Sequence, residues 1–402
     1  MSIQRKRRVV LAFPISLAFI ERELQGIVEY ARRTGGWSLT RVPEIHSTSL
    51  GWLRHWHGDG AIVLITTAED AQIARELPFP VVNLAGHLAH PGVPTVMADH
   101  KAIGRVAAEH LLDRRFRHFG YYGTRGKWYS HQRRDGFVET ARLAGASCAV
   151  LQAANLPGTR SRWTDQQAEL ERWLRGLPTP VGILASNDPR AGMVLDACLA
   201  IGRRVPDEVA VVGVDNDPVA CEYCAVPLSS VARQDREVGE RAAALLDELM
   251  RGGRVPAKPI LLPPAGVVLR ASTDTLAIDD AYVAAAQRYI LSHLSKPFGV
   301  EHVLEAGKIS RRRLEQRFRQ CLGKTPYAFI SEQRVEQARR LLEQPAPLRL
   351  TQIAAACGFT DLRRFRLVFR RLTGTTPAQY RRGLLQARRS GAAPAACRPS
   401  EP

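Results

Sequence analysis

Two fold classes stand in series in this chain: an α/β region of parallel sheets over residues 1–272, then an all-α region over residues 286–385. Three observations predict this. Apolar, strand-like runs alternate with amphipathic stretches through the first 272 residues, the pattern of parallel strands joined by crossover helices. The last third contains two matching helical segments at a fixed spacing, the mark of a duplicated unit. The charge also divides: residues 1–284 hold 34 Lys+Arg against 31 Asp+Glu, whereas residues 285–402 hold 23 against 8, so +15 of the net +18 lies in the second part.

At 402 residues there is room for two to four domains with sizeable cores. A hydrophobic fraction of 45% with 24% charged residues matches globular averages and argues against wholesale disorder. No uncharged apolar run is long enough to cross a bilayer. Seven cysteines are too sparse for a disulfide scaffold, which points to a reducing cytoplasm. Arg5-Lys6-Arg7-Arg8 before the apolar run Val9 to Ile20 imitates a signal peptide, but the run leads into Glu21-Arg22-Glu23 without a small-residue cleavage site. A buried first strand followed by a helix accounts for it better.

In chain order the strand candidates are Arg8–Phe13, Gly60–Ile65, Val81–Leu84, His118–Tyr122, Val181–Ala185 and Val209–Val214, with amphipathic stretches at Glu23–Arg33, Gly104–Arg114 and Val238–Arg251. Ligands of such sheets collect at the carboxyl ends of strands. Polar clusters fall there: Asp99-His100 before a helix, Asn187-Asp188 after one strand, Asp215-Asn216-Asp217 after another.

In the basic region, Gly307, Ser310, Leu314, Phe318, Arg319, Gly323 and Pro326 recur 51 residues later as Gly358, Asp361, Phe365, Phe369, Arg370, Gly374 and Pro377. Each unit reads as a short helix, a Gly turn, a capping residue (Ser310 in the first, Thr360 or Asp361 in the second) and a second helix with an apolar face. Leu314, Phe318 and Leu322 form that face in the first unit, and Phe365, Phe369 and Leu372 in the second. This is the helix-turn-helix pattern, whose second helix enters the major groove. The outward residues are then the candidates for DNA: Arg311, Arg312, Glu315, Gln316 and Arg319, and Leu362, Arg363, Arg364, Arg366, Leu367 and Arg370. Arginine suits the task because its planar fork pairs with phosphate oxygens or guanine edges. Gln333, Arg334 and Arg339 belong to the helix linking the units.

Other signals are weak. Cys221-Glu222-Tyr223-Cys224 has no second pair at metal-site spacing, and Gly323-Lys324-Thr325 lacks the first Gly of a phosphate loop. Asp99, Asp188, Asp215 and Asp217 raise the thought of a glycosidase pair, but their separation is not written in the sequence. Ala392–Pro402 is rich in Ala and Pro and reads as a disordered tail.

Residues 286–385 resemble the AraC-type DNA-binding domain, most specifically in Gly358-Phe359-Thr360-Asp361-Leu362-Arg363-Arg364-Phe365 and Gly374-Thr375-Thr376-Pro377-Ala378-Gln379-Tyr380-Arg381. That resemblance implies two recognition helices in successive major grooves of one DNA face. Gly182–Asp188, Val211–Asn216 and Pro227–Asp235 resemble the LacI-type, periplasmic-binding-protein-like sensor, with two lobes around a sugar cleft. It implies Asp99, Arg133, Asn187, Asp215 and Gln234 as lining residues, with Asp188 and Phe13 as further ones. Sensor first and AraC-type domain last is the order of the xylose operon regulator family. That resemblance implies domains at 1–272 and 286–385, a linker at 273–285 and a disordered tail at 386–402. It implies no cofactor, no metal and no catalysis. The partners are duplex DNA, D-xylose or a related pentose, a second copy of the chain and RNA polymerase if the protein is an activator. The first loop, Phe13-Pro14-Ile15-Ser16, is more apolar than a pentose site calls for. A repressor, a sensor of another metabolite, or a sugar-binding or sugar-processing protein without DNA function are the competing readings.

Overall fold

The computed structural model describes residues 6–13, 18–41, 49–154, 160–275, 277, 280–343 and 348–390. Two compact units divide the chain, Met1–Ala277 and Ile278–Pro402.

The first unit has two lobes. One is built on β1 (Arg7–Ala12), β2 (Trp37–Arg41), β3 (Gly60–Val63) and β4 (Val81–Asn83), parallel in the order β2-β1-β3-β4. Beside it β5 (Val96–Ala98) pairs with β11 (Ile260–Leu262). Helices α1 (Ala18–Thr34) and α8 (Asp235–Met250) cover one face, and α2 (Ala68–Glu76), started by the Thr67 cap, lies on the other. The second lobe orders its strands β12-β10-β9-β8-β6-β7: β6 (His118–Thr124), β7 (Ser147–Ala153), β8 (Val181–Ala185), β9 (Val209–Val214), β10 (Ser229–Ala232) and an antiparallel β12 (Gly266–Val268). Helices α3 (His100–Asp113) and α4 (Trp128–Leu143) pack on one face, α5 (Arg160–Gly176), α6 (Asp188–Ala200) and α7 (Pro218–Tyr223) on the other. Val209–Val214 is buried throughout, as a central parallel strand covered on both sides must be.

The chain crosses between lobes three times, from β5 to α3, from β10 to α8 and from β11 to β12. The crossings are tied, since the Asp99 N–H donates to the Leu262 carbonyl at 2.7 Å and the Ala265 N–H to the Ala232 carbonyl at 2.9 Å. Strand order reverses between β1 and β3 in one lobe and between β6 and β8 in the other, the crevices where parallel sheets collect ligands.

Two helix crossings are unusually close. A methyl group on Gly104 of α3 would fall 2.0 Å from the Arg133 carbonyl oxygen of α4, and one on Gly239 of α8 would fall 1.9 Å from the Glu23 carbonyl oxygen of α1. Only glycine permits backbones to approach so far.

The expected linker at 273–285 is corrected at both ends. Ser272 and Thr273 are buried in the sensor, Ser272 donating to the Val211 carbonyl at 2.6 Å and Thr273 to Ser229 at 2.8 Å. Ala277 still bonds the Arg114 carbonyl, and α9 (Ala281–Ser292) begins with Asp280 as its cap. A short 3-10 turn, Ala271–Thr273, is thus the last sensor element, and α9 opens the second unit at Ala281. That unit continues with α10 (Val300–Gly307), α11 (Arg311–Leu322), α12 (Pro326–Glu343), α13 (Leu350–Ala356), α14 (Leu362–Thr373) and α15 (Pro377–Ser390). The tail expected from 386 is likewise corrected, because helix continues to Ser390; residues 391–402 lie outside those described, as do residues 14–17.

Candidate ligand cleft and nucleic-acid interface

Carboxyl ends of the strands carry the candidate cleft residues: Phe13 after β1, Asp99 after β5, Asn187 after β8, Asp215 after β9, Gln234 after β10. Two of the predicted set meet directly. Arg133, on α4, is only 2% exposed; its Nη1 donates to the Ser186 carbonyl and its Nη2 lies 3.3 Å from Asp215 Oδ1. Its guanidinium also sits 5.2 Å from the Tyr129 ring centroid. Asp215 itself has φ 102°, a left-handed backbone that a non-glycine residue adopts only when its surroundings hold it there.

The same Asp215 oxygen meets Arg233 Nη1 at 3.4 Å. Arg233 is the pivot of a buried charge cluster, pairing with Glu23 at 2.9 Å and Asp235 at 2.8 Å and lying over the Phe19 ring. Arg22 pairs with Asp235 at 2.8 Å and reaches the Asp215 carbonyl at 2.5 Å. Arg22 and Glu23 belong to the first lobe and Asp215 and Arg133 to the second, so this cluster spans the lobes. Burial pushes the Glu23 carboxyl up to about 8, against the pull of Arg233. For Arg233 burial disfavours the charge, but Asp235, Asp215 and Glu23 outweigh it and strengthen the cation.

The other predicted side chains have identifiable local roles. Asp99 accepts the Ala102 N–H at 2.9 Å and caps α3; Asn187 accepts the Arg190 N–H at 3.0 Å and caps α6. Both remain half-buried, as does Gln234 at the start of α8, which makes no side-chain cap bond. Asp188 is buried: its two oxygens receive the Ser230 hydroxyl at 2.6 Å and the Asp217 N–H at 2.8 Å, which fixes the loop carrying Asp215. Burial, then the Asp215 charge, raises its carboxyl to about 7. Phe13 is buried in the core under α1.

A second inter-lobe contact was not foreseen from the sequence. The N–H groups of Trp128 and Tyr129, which open α4, donate to the carbonyls of His87 at 3.1 Å and Gly86 at 2.8 Å. Lys127 offers that helix no side-chain cap, so the opposite lobe supplies it. His87 and His100 pack edge-on or tilted against Tyr129; burial holds His87 down at about 4 and His100 well below the usual imidazole range.

In the second unit both expected helix pairs are present, α10–α11 and α13–α14. Leu314, Phe318 and Leu322 are buried in the first. In the second the inward face is corrected: Phe365, Val368 and Phe369 are buried, while Leu372 is 37% exposed. Leu362 is corrected too, being half-buried against that core rather than displayed. The left-handed turn residue of the first unit is Lys308 (φ 46°) rather than Gly307, whereas Gly358 (φ 68°) fills that place in the second. Asp361 caps α14 through the N–H groups of Arg363 and Arg364; Ser310 makes no such bond. Arg311, Arg312, Gln316 and Arg319 on α11 are exposed, as are Arg363, Arg364, Arg366 and Arg370 on α14. Glu315 is half-buried and pairs with Arg311 at 3.1 Å and Arg319 at 4.0 Å. Arg334 of α12 ties the units: it donates to the carbonyls of Lys296 and Phe298 and lies between the Phe298 and Phe359 rings.

Residues 108–273 match a periplasmic binding protein-like domain and residues 305–383 a helix-turn-helix domain. Across the whole length, the chain is 32% identical over 385 residues to the xylose operon regulatory protein of Escherichia coli K12, covering 94% of this chain and 97% of that one. The chain belongs to the xylose operon regulatory protein family. A second member, from Haemophilus influenzae Rd, is 29% identical over 93% of this chain and 98% of its own. The solved structure of a xylose-binding transcription activator, XylR, superposes with a TM-score of 0.71 at 31% identity, covering 94% and 98% of the two chains. This xylose operon regulator homologue is thus a transcriptional regulator with a sugar-sensor domain and a C-terminal AraC-type DNA-binding domain. Among its described residues no helix is long and apolar enough to cross a membrane.

Proposed function

We propose that this protein activates sugar-catabolism genes in response to D-xylose or a related pentose, as a cytoplasmic homodimer that binds duplex DNA, recruits RNA polymerase and performs no catalysis. The observation that carries the sugar reading is the Arg133–Asp215 pair, set at the strand ends and bridged to the first lobe through Arg233 and Arg22. A pentose offers hydroxyls that both donate and accept, and a paired Asp and Arg supply bidentate partners for adjacent hydroxyls. Asp99, Asn187 and Gln234 add further polar groups, and Phe13 contributes apolar backing. Asp188 acts through the loop that holds Asp215.

Sugar stabilises the lobe arrangement that binds it more tightly. That shift favours the arrangement of two basic domains in which four helix-turn-helix units engage repeated half-sites, with Arg311, Arg312, Gln316, Arg319, Arg363, Arg364, Arg366 and Arg370 facing the grooves, and Glu315 orienting two of the arginines. Leu362, half-buried, supports that face from the core. DNA affinity and sugar affinity are reciprocally linked. A thermal-shift screen over pentoses and hexoses tests the reading. At a hundred times its Kd a cognate sugar stabilises by about 2.7 kcal/mol, roughly 5–10 °C for a domain of this size. Absence of a shift with every pentose sinks the pentose assignment.

A further inference from the structure

The second unit contains a cleft of about 510 Å³ between its two helix-turn-helix pairs. Its position in the fold is informative. Arg311 opens α11 and Arg364 lies in the first turn of α14, so the cleft is walled by the starts of both candidate recognition helices. Tyr327 and Arg334 line it from α12, and Thr360 from the turn before α14.

Its chemistry is that of an anion site. Three arginines converge there, with Glu301 as the one lining carboxylate, 3.6 Å from Arg311. The Tyr327 hydroxyl is more acidic than an ordinary phenol because Arg364 Nη2 donates to it at 3.4 Å. Accepting that bond leaves its own proton free for an acceptor in the cleft. Burial, and then the neighbouring Arg364, weakens the hold of Arg334 on its proton, and Arg334 is fixed by two carbonyls in the wall behind. Gly358 allows the second pair to pack so close, since a methyl group there would lie 2.5 Å from the Leu294 carbonyl.

We propose that this cleft binds a backbone phosphate of duplex DNA in the stretch between the two major-groove segments, with Arg364 and Tyr327 as donors, Thr360 at the rim and Arg334 as a fixed positive charge. The inference rests on the DNA reading above and gives Arg364, grouped there with the groove-facing arginines, a backbone phosphate as its partner. When two recognition helices enter successive major grooves, the intervening phosphates face the protein between the two helix starts. A contact there sets register rather than reading sequence.

The test uses the full chain and a duplex selected by it from a random pool. Single methylphosphonates are walked through the spacer between the two protected segments, with wild type compared against Tyr327→Phe and Arg364→Gln. At one or two adjacent positions a neutral linkage should weaken wild-type binding about tenfold, the value of one charge-assisted hydrogen bond, and weaken either variant less than twofold. Arg364→Gln should also lower the salt dependence of binding by about one phosphate and weaken non-specific DNA equally, whereas Tyr327→Phe, which removes no charge, should leave the slope unchanged. An equal methylphosphonate penalty in wild type and both variants, or none anywhere in the spacer, overturns the site while leaving DNA binding intact. Wild type without salt-sensitive duplex binding overturns the parent reading and the site with it.

Discussion

Arg233→Met is the perturbation whose consequence the charge cluster defines most tightly. The side chain is 6% exposed and faces Glu23 and Asp235, both fully buried, together with Asp215. Removing one partner of a buried ion pair costs about 3–5 kcal/mol, because the remaining charge is stranded. Two features place this case at the lower end. Glu23, held up to about 8 by burial even with Arg233 beside it, already carries its proton at neutral pH, so its carboxyl strands little charge. Asp235 keeps Arg22 at 2.8 Å. The expected loss is therefore about 3 kcal/mol, seen in calorimetry as a fall of roughly 6–12 °C in the sensor transition. Adding Glu23→Gln to Arg233→Met should change little at pH 7. A loss under about 1 kcal/mol would refute the reasoning, since the pairs would then be behaving as solvated surface bridges.

Further outcomes follow from the same geometry. Gly104→Ala should destabilise the sensor by about 2 kcal/mol or more, in the range of other overpacked sites, and weaken sugar binding, because α4 must move and carries Arg133 with it; urea unfolding and calorimetric titration read the two effects. The pH profile should have two sides. Glu23, raised from 4.5 to about 8, contributes stability that is full below 4.5 and lost as pH rises through 8, and Glu23→Gln should flatten that alkaline-side slope. His87, lowered from 6.5 to about 4, contributes stability that is full above 6.5 and lost as pH falls toward 4; His87→Phe, followed by thermal melts across that window, should remove part of the acid-side loss. Asp99→Ala with Asp215→Ala should abolish the sugar-induced thermal shift while leaving basal DNA affinity in place. Loss of both together would mark those aspartates as structural.

The parts of this fold legible in the sequence were those with an unambiguous local signature. Val209–Val214 is apolar at almost every position and could only be a central strand. The 51-residue repeat located both helix pairs because Gly, cap and aromatic positions recur together. Edge strands were illegible: β7, Ser147–Ala153, is half-exposed along most of its length and mixes polar with apolar residues, so no period of two appears. On α14, Val368 and Leu372 compete for the same face, and only tertiary packing decides for Val368. In the cleft, Arg133 and Asp215 were visible through family motifs. Arg233 and Glu23 were not, because a buried arginine and a buried glutamate look in sequence like two surface charges 210 positions apart. The cap that Gly86 and His87 give to α4 was hidden for another reason: it consists of main-chain carbonyls, which carry no residue signature.

On the proposed function, sugar in the sensor governs affinity of the basic domain for DNA. Fluorescence anisotropy with a selected duplex, titrated with full-length protein with and without saturating D-xylose and repeated over several salt concentrations, tests it directly. Sugar should tighten specific binding, the salt slope should be steep, and the duplex should tighten sugar binding by an equal factor. Identical isotherms with and without every pentose tried would contradict this linkage.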